Sequence, residues 1–254
     1  MALLMQKDYS PLLPSIREAR DNRLRACSAR LLVCRACQRG IGDAVYRNLC
    51  GICGSANSAD RSCAQRASAI HADVAAELQW VGTFASAFPT VVSLNYDLTL
   101  YWAMLLFNTA NGSWFKDAFH HGEFQTDWEY LRRLYGHAAG ATTLVFYLHG
   151  SLSVARDYIG DETKIAASTG ATGDLLEAIT RKWSSGHYVP VFVSEGTSKE
   201  KVAAIRRSHY LTNVYEEVLP AIGDSLVVYG WSFDERDQHV LNAISANSPK
   251  RMAV

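Results

Sequence analysis

The segment "TVVSLNYDLTLYW" (residues 90–102) decides the fold class, because an apolar run ends abruptly there in polar side chains. Its β-branched beginning is typical of a short buried strand. Asn95, Tyr96 and Asp97 follow, and an apolar pattern of helical character then begins. The segment therefore predicts a strand, a polar turn and a helix, with the Asp97 carboxylate placed to cap that helix.

Three further segments repeat this form, since each is a short β-branched or aromatic run that ends in glycine or polar residues. They are "TTLVFYLHG" (142–150), "VPVFVSEG" (189–196) and "SLVVYGWS" (225–232). Helical patterns lie between and after these runs, in "DLLEAITRKW" (174–183), "TSKEKVAAIRRSHYLTNVYEEVL" (197–219) and "SFDERDQHVLNAI" (232–244). Strands that alternate with helices predict an α/β fold, with a parallel sheet and crossover helices.

Helix start signals support this division of the chain. Thr197 and Glu200 have the spacing of a capping box, and Ser232 and Glu235 repeat that spacing. The final segment "PKRMAV" (249–254) has the composition of the first half of another strand. We therefore expect one helix to begin near Thr197 and another near Ser232.

The predicted strand ends carry residues suited to a ligand, because ligands of such sheets bind at the carboxyl ends of the strands. His149 is a candidate general base toward a sugar hydroxyl, and Gly150 permits close approach of a ligand. Asn95 is a candidate to orient a water molecule or a ribose. Each residue also has a structural interpretation: His149 as a core histidine, Asn95 as a turn residue, and Asp97 as a helix cap rather than a cofactor-binding group.

Cofactor contacts are predicted where strands lead into helices. Backbone amides at a helix N-terminus suit phosphate, which makes Ser194 and Gly196 candidate cofactor-binding residues. Gly230 and Ser232 are candidates at the turn after the last strand of this series. Ordinary strand-to-helix turns account for the same four residues. A basic helix face close to this region is interpreted as solvated; it comprises Lys199, Lys201, Arg206 and Arg207.

Composition narrows the classes of function. The 254 residues include 25 basic and 25 acidic side chains, and this zero net charge gives no support to broad nucleic-acid binding. No apolar run reaches the roughly 18 residues of a membrane-spanning helix, and the first 20 residues lack the apolar core of a secretory signal. We therefore expect a cytoplasmic protein without a membrane partner, whose partner is a nucleotide-type small molecule; an oligomer is compatible with the sequence.

The beginning of the chain differs from the remainder. All six cysteines precede residue 64, in a stretch rich in Arg, Ala and Ser with poor hydrophobic periodicity. We therefore divide the chain into an irregular, cysteine-rich region (residues 1–68) and an α/β domain (residues 69–254). Two Cys-x-x-Cys pairs have the form of a four-thiolate zinc site. The alternative interpretation is that this cysteine-rich sequence is an accidental or degraded segment. The candidate zinc ligands are Cys34, Cys37, Cys50 and Cys53.

Four segments together resemble a bacterial family of unknown function with a sirtuin-like domain, over roughly residues 70–250. They are "SLNYDLTLYWAM", "LVFYLHGSL", "PVFVSEGTSKEKVAAIRRSHYLTNVYEEVL" and "LVVYGWSFDERDQHVLNAI". The resemblance implies a Rossmann-like NAD-binding fold related to the sirtuin-like NAD hydrolases of phage defence. It implies that Asn95 holds the attacking water or the nicotinamide ribose, that His149 accepts a ribose proton, and that the Gly230–Ser232 turn lies near the adenosine of NAD.

The sequence lacks one segment that members of that family have, and this absence leaves two functions open. Members of the family begin with a strand and a Gly-x-Gly-x-Ser loop that holds the pyrophosphate, and the sequence has no such segment, which indicates a truncated or rearranged member. The first function is an NAD-binding protein that hydrolyses the nicotinamide–ribose bond, in prokaryotic defence. The alternative is a catalytically inactive nucleotide-binding or interaction module, with a zinc-stabilised or relic N-terminal region.

Overall fold

The computed structural model describes residues 3–6, 75–132, 142–166, 172–193 and 196–254. The expected zinc ligands Cys34, Cys37, Cys50 and Cys53 lie outside these residues, as do Ser194 and the expected boundary between residues 68 and 69. No helix in the described part of the chain has the length and apolar character needed to cross a membrane.

The described residues form a mixed α/β structure with two sheets. Its strands are β1 (Leu3–Gln6), β2 (Thr90–Ser93), β3 (Phe115–Asp117), β4 (Phe119–His120), β5 (Glu123–Phe124), β6 (Thr143–Tyr147), β7 (Gly150–Asp157), β8 (Glu162–Lys164), β9 (Tyr188–Phe192), β10 (Ser225–Tyr229) and β11 (Arg251–Ala253). Its α-helices are α1 (Ala75–Ala85), α2 (Thr99–Asn111), α3 (Thr172–Ser184), α4 (Ser198–Ile205), α5 (His209–Asn213) and α6 (Gln238–Asn247). Shorter helical segments are Trp128–Arg132, Val214–Val218, Pro220–Ile222 and Glu235–Asp237.

The first sheet has the strand order β11–β10–β1–β2–β6–β3. β2 and β3 both pair with β6 in parallel, and β10 is parallel to β11. β1 lies at the centre and is antiparallel to both of its neighbours, β2 and β10. The expected parallel sheet is therefore present on either side of a central antiparallel strand.

The register of this sheet brings several strand ends to one edge. Tyr229, Leu3, Ser93 and Tyr147 are successive partners across the sheet. Because β10, β2 and β6 run in the same direction, their carboxyl ends coincide at this edge. The segments that begin at Gly230, Leu94 and Leu148 leave the sheet there, as the sequence predicts.

The segment "VPVFVSEG" does not join this sheet, which corrects the expectation of four parallel strands. β9 instead lies at the end of a second, antiparallel sheet with the order β4–β5–β8–β7–β9. Pro190 in the middle of β9 lacks a backbone donor, and such a residue is tolerated in an edge strand. The partner strand β7 begins at Gly150, so a two-residue turn, Leu148 and His149, separates β6 of the first sheet from β7 of the second sheet.

The first sheet is the core of the fold. All four residues of β2 and all five of β6 are buried, and strands covered on both faces read as unbroken apolar runs. On one flank, α1 lies so close to α2 that a Cβ added at Gly82 would be 3.0 Å from the Phe107 Cβ. The segment between α2 and β6 links the two sheets, because β3 joins the first sheet and β4 joins the second.

The helix signals are confirmed in part. Thr197 caps α4 and forms the predicted capping box with Glu200. The expected single helix over residues 197–219 breaks after Ile205, and Ser208 caps the new helix α5. The strand expected in "PKRMAV" is also present, as β11.

The helix expected to begin at Ser232 starts later, so the predicted Ser232–Glu235 capping box is wrong. Phe233 has a φ of 56°, which lies outside the right-handed helical region. The backbone amide of Arg236 donates instead to the Asp234 side chain at 2.9 Å, and one turn of 3-10 helix leads into α6. This delay places Asp237 and His239 at the beginning of α6.

We predict that Gly150→Ala destabilises the protein strongly. Gly150 has a φ of 81°, and a Cβ there would lie 2.1 Å from the Val191 carbonyl oxygen in β9. Gly160→Ala is the matched control, because Gly160 has a φ of 104° but no atom within 4 Å of an added Cβ. We expect a loss of about 1 kcal/mol in the free energy of unfolding for Gly160→Ala, from backbone strain alone, and about 3 kcal/mol or more for Gly150→Ala.

Urea denaturation of the two variants measures this difference. Equal losses in both variants would show that the close approach to β9 is not a constraint on the fold.

Candidate functional site

His149 is buried at the carboxyl end of β6, with 5% of its surface exposed. Its Nδ1 lies 3.2 Å from the Leu94 carbonyl oxygen, at the end of β2. Its Nε2 lies 3.1 Å from Nε2 of His239 on α6. A carbonyl oxygen only accepts, so Nδ1 of His149 carries the proton, and in the neutral imidazole Nε2 has the free lone pair.

His239 extends this contact into a directed chain of hydrogen bonds. Its Nδ1 lies 3.2 Å from the Ser198 Oγ, and its backbone amide donates to the same oxygen at 2.9 Å. When both imidazoles are neutral, one direction satisfies every atom: Ser198 donates to His239, His239 donates through Nε2 to His149, and His149 donates to the Leu94 carbonyl. The chain therefore connects the end of β2 with α4 and α6.

Asp237 and Lys201 supply charge beside this chain. Nζ of Lys201 donates to Oδ1 of Asp237 at 2.6 Å, and the indole Nε1 of Trp231 donates to Oδ2 at 3.3 Å. The same Oδ1 lies 3.9 Å from Nε2 of His149. The cluster thus combines two imidazoles, one carboxylate and one ammonium group.

Burial determines the protonation of the two histidines. Burial lowers the pKa of His149 to about 4, although the neighbouring Asp237 carboxylate acts in the opposite direction. Burial also lowers the pKa of His239 to about 4. Burial of the Asp237 carboxyl opposes its ionisation, but the hydrogen bond from Lys201 and the adjacent charges lower its pKa overall. At neutral pH the cluster holds two neutral imidazoles beside a carboxylate–ammonium pair.

Asn95 lies next to this cluster, one residue after the carbonyl that contacts His149. Its Nδ2 donates to Oδ2 of Asp97 at 3.1 Å, and its backbone amide donates to Oγ of Ser93 at 3.1 Å. Asp97 also accepts from the backbone amide of Thr99 at 2.8 Å, in the first turn of α2. The N-cap position of α2 is Leu98, so Asp97 lies one residue before the predicted cap; it accepts from the first residue of the helix and fixes the Asn95 side chain.

The other candidate residues occupy different surroundings. Gly150 is required by the close approach of β9, which is a structural reason independent of any ligand. Gly196 is half-buried and precedes the Thr197 cap, where an added Cβ would lie 3.0 Å from the Glu200 carboxylate. Gly230, with a φ of 71°, and Ser232 are exposed at the turn after β10. The structure thus places His149 and Asn95 close together at the carboxyl edge of the first sheet, whereas Gly230 and Ser232 are exposed to solvent.

Sequence reasoning missed most of the cluster around His149. Lys201 is not a solvated residue as predicted, since only 13% of its side chain is exposed. Ser198 and Lys201 are three residues apart on the helix that follows a strand end, and Asp237 and His239 lie in the segment that follows another. Their positions in segments that follow strand ends are the signal by which these four residues could have been found. The contact between the two segments, however, depends on the tertiary fold.

A second polar cluster includes Asp117 of β3, the strand that pairs with β6 at the end of the first sheet. Lys164 on β8 forms an ion pair with Asp117 on β3, and its ammonium lies 4.2 Å from the centre of the Tyr101 ring. Burial disfavours the charge of Lys164, but Asp117 and Tyr101 more than offset it and raise its pKa. A cavity of about 260 Å³ adjoins this pair, lined in part by Asn108 and His120.

Comparison with known proteins identifies the family. The sequence profile of DUF4917, a domain of unknown function, matches residues 55–254, and the chain belongs to this family. The match itself carries no link to sirtuins. No curated protein matches the sequence.

We predict that the neutral histidine pair makes stability pH-dependent. Unfolded histidines titrate near pH 6.5, whereas His149 and His239 titrate near 4 in the folded protein. Between these values the unfolded chain binds more protons, so the free energy of unfolding falls as the pH is lowered from about 7 to 4, by on the order of 3 kcal/mol for each histidine.

Urea denaturation across this pH range, in the presence of EDTA, measures the effect. The double variant His149→Gln/His239→Gln should lose this part of the slope, and the exposed-histidine variant His187→Gln should retain it. An unchanged slope in the double variant would show that the pair is not neutral in the folded protein.

Proposed function

We propose that the domain binds NAD or a related nucleotide at the carboxyl edge of the first sheet and hydrolyses the nicotinamide–ribose bond. The observation that carries this proposal is the position of His149. It lies at the end of β6 with its Nδ1 bound to the Leu94 carbonyl, so that Nε2 is the nitrogen of the neutral ring that can accept a proton. This geometry suits a general base toward a ribose hydroxyl.

The strand register supports a nucleotide site at this edge. The ends of β10, β2 and β6 coincide there, and ligands of α/β sheets bind at carboxyl ends of strands. The loops that follow these strands carry Gly230, Asn95 and His149. In the proposed mode, the Gly230–Ser232 turn contacts the adenosine half, and the amide of Gly196 contacts phosphate.

The proposed reaction converts NAD and water into nicotinamide and ADP-ribose. The bond between the ribose C1′ and the nicotinamide nitrogen breaks, its electrons leave with nicotinamide, and a water oxygen bonds to C1′. One proton is released, which passes through Nε2 of His149 to solvent. Asn95, fixed by Asp97, orients the water or the ribose.

Substrate binding has a structural requirement in this mode. Nε2 of His149 is in contact with His239, so a ribose hydroxyl takes the place of that ring as hydrogen-bond donor. The resemblance of the motifs around Asn95 and His149 to sirtuin-like hydrolases of phage defence supports this assignment and suggests a role in prokaryotic defence.

A second candidate function is a nucleotide-binding or interaction module without catalysis. Two observations favour it: both ring nitrogens of His149 already contact protein groups, and the central strand β1 is antiparallel to its neighbours. In a Rossmann-like site that central strand runs parallel and leads into the phosphate-binding loop. In this alternative, a zinc bound by Cys34, Cys37, Cys50 and Cys53 or a relic segment completes the N-terminal region.

We predict that the purified chain releases nicotinamide from NAD, and that Asn95→Ala and His149→Gln each reduce this turnover at least about 100-fold. His187→Gln is the control, because this histidine is exposed and distant in the chain from the site. Chromatography of nicotinamide and ADP-ribose measures turnover, calorimetry measures NAD binding, and thermal unfolding confirms that each variant is folded.

NAD binding without any turnover would establish the second function. Absence of both would reject a nucleotide site at this edge.

A further inference from the structure

Three side chains of the cluster present metal-ligating atoms to one point. One ligand atom from each of His149, His239 and Asp237 lies within 4.8 Å of the other two. The two nitrogens are 3.1 Å apart, and Oδ1 of Asp237 is 3.9 Å from Nε2 of His149. Ligand atoms around a tetrahedral zinc, with bonds of about 2.0–2.1 Å, are separated by about 3.3 Å. The observed spacings lie on either side of that value.

The atoms behind these ligands are also arranged as in metal sites, where each ligand is oriented by an outer hydrogen bond. Nδ1 of His149 contacts the Leu94 carbonyl, and Nδ1 of His239 contacts the Ser198 hydroxyl. Oδ2 of Asp237 accepts from the Trp231 indole. The three ligand atoms therefore point inward while their partners hold the rings and the carboxylate from outside.

We propose that His149, His239 and Asp237 bind a divalent transition-metal ion of the zinc class. Imidazole nitrogen with one carboxylate is a ligand set that zinc and neighbouring transition metals accept, whereas magnesium and calcium prefer oxygen alone. Three protein ligands leave one position of a tetrahedral ion open to water or another ligand. This site is separate from the four cysteines of the N-terminal region.

The Lys201 ammonium competes with a metal ion, because it already binds the Asp237 oxygen that the ion requires. Nζ of Lys201 lies 2.6 Å from Oδ1 of Asp237. Metal binding displaces this ammonium from Oδ1 and removes the proton between the two Nε2 atoms. His239 then carries its proton on Nδ1 and donates it to Ser198. Removal of the Lys201 charge should therefore strengthen metal binding.

The ion and the proposed hydrolysis exclude each other. The metal takes the Nε2 lone pair of His149 that the hydrolysis requires as a base. This consequence rests on the proposed function, whereas metal binding itself does not. Zinc would therefore inhibit nicotinamide release, and EDTA would restore it.

Cobalt binding tests the site directly, because Co²⁺ substitutes for zinc and its visible absorption reports the ligand geometry. The chain of residues 1–254 with Cys34→Ser, Cys37→Ser, Cys50→Ser and Cys53→Ser serves as the starting protein, so that the candidate thiolate site does not contribute. We expect one Co²⁺ per chain with the absorption of a four- or five-coordinate nitrogen–oxygen site. His239→Gln and Asp237→Asn should each weaken binding about 10- to 100-fold.

Two further variants separate a metal site from nonspecific binding. Lys201→Met should bind Co²⁺ more tightly, by about 10-fold or more from loss of the competing charge. His187→Gln should bind as the starting protein does. Absence of binding, unchanged affinity in His239→Gln, or unchanged or weaker affinity in Lys201→Met would overturn the proposal. Turnover is therefore measured separately, in EDTA. Cobalt binding by a chain that shows no NAD turnover in EDTA would reject the proposed hydrolysis alone, and turnover in EDTA without cobalt binding would reject the metal site alone.

Discussion

The close approach of Gly150 to the Val191 carbonyl is the constraint on which the described structure depends. It lets β7 of the second sheet begin directly after the turn that carries His149. The backbone carbonyl of His149 accepts from the amide of Val193 at 2.8 Å, which ties the end of β9 to the same point. The His149 ring is therefore held where the two sheets diverge, buried but next to the carboxyl edge of the first sheet.

The polar cluster around that ring is compatible with burial because its members satisfy one another. An unpaired buried imidazole or carboxylate costs several kcal/mol, whereas a connected network reduces that cost. The capped start of α4 supplies Ser198 and Lys201, and the delayed start of α6 supplies Asp237 and His239. Two helix N-termini from different parts of the chain therefore meet at the end of β6.

This arrangement places two imidazoles, a carboxylate and an ammonium group at one point of the fold, and the Nε2 lone pair of His149 lies at its centre. A proton from His239, a substrate hydroxyl and a metal ion would each use that lone pair. Which of these three groups uses the lone pair depends on charge as well as geometry, since Lys201 neutralises the Asp237 carboxylate that a cation would need. The cluster formed by Lys164, Asp117 and Tyr101 lies apart, beside its own cavity.

The sequence by itself determined the α/β class, the strands that end shortly before Asn95, His149 and Gly230, and the capping box at Thr197, because these depend on local periodicity and cap chemistry. Tertiary structure decided the rest. Pro190 and the pairing with β7 place β9 in the second sheet, the positive φ of Phe233 shifts the start of α6, and β1 is antiparallel. The contacts of His149 with His239, and of Lys201 with Asp237, join residues far apart in the chain, and no local pattern encodes such contacts.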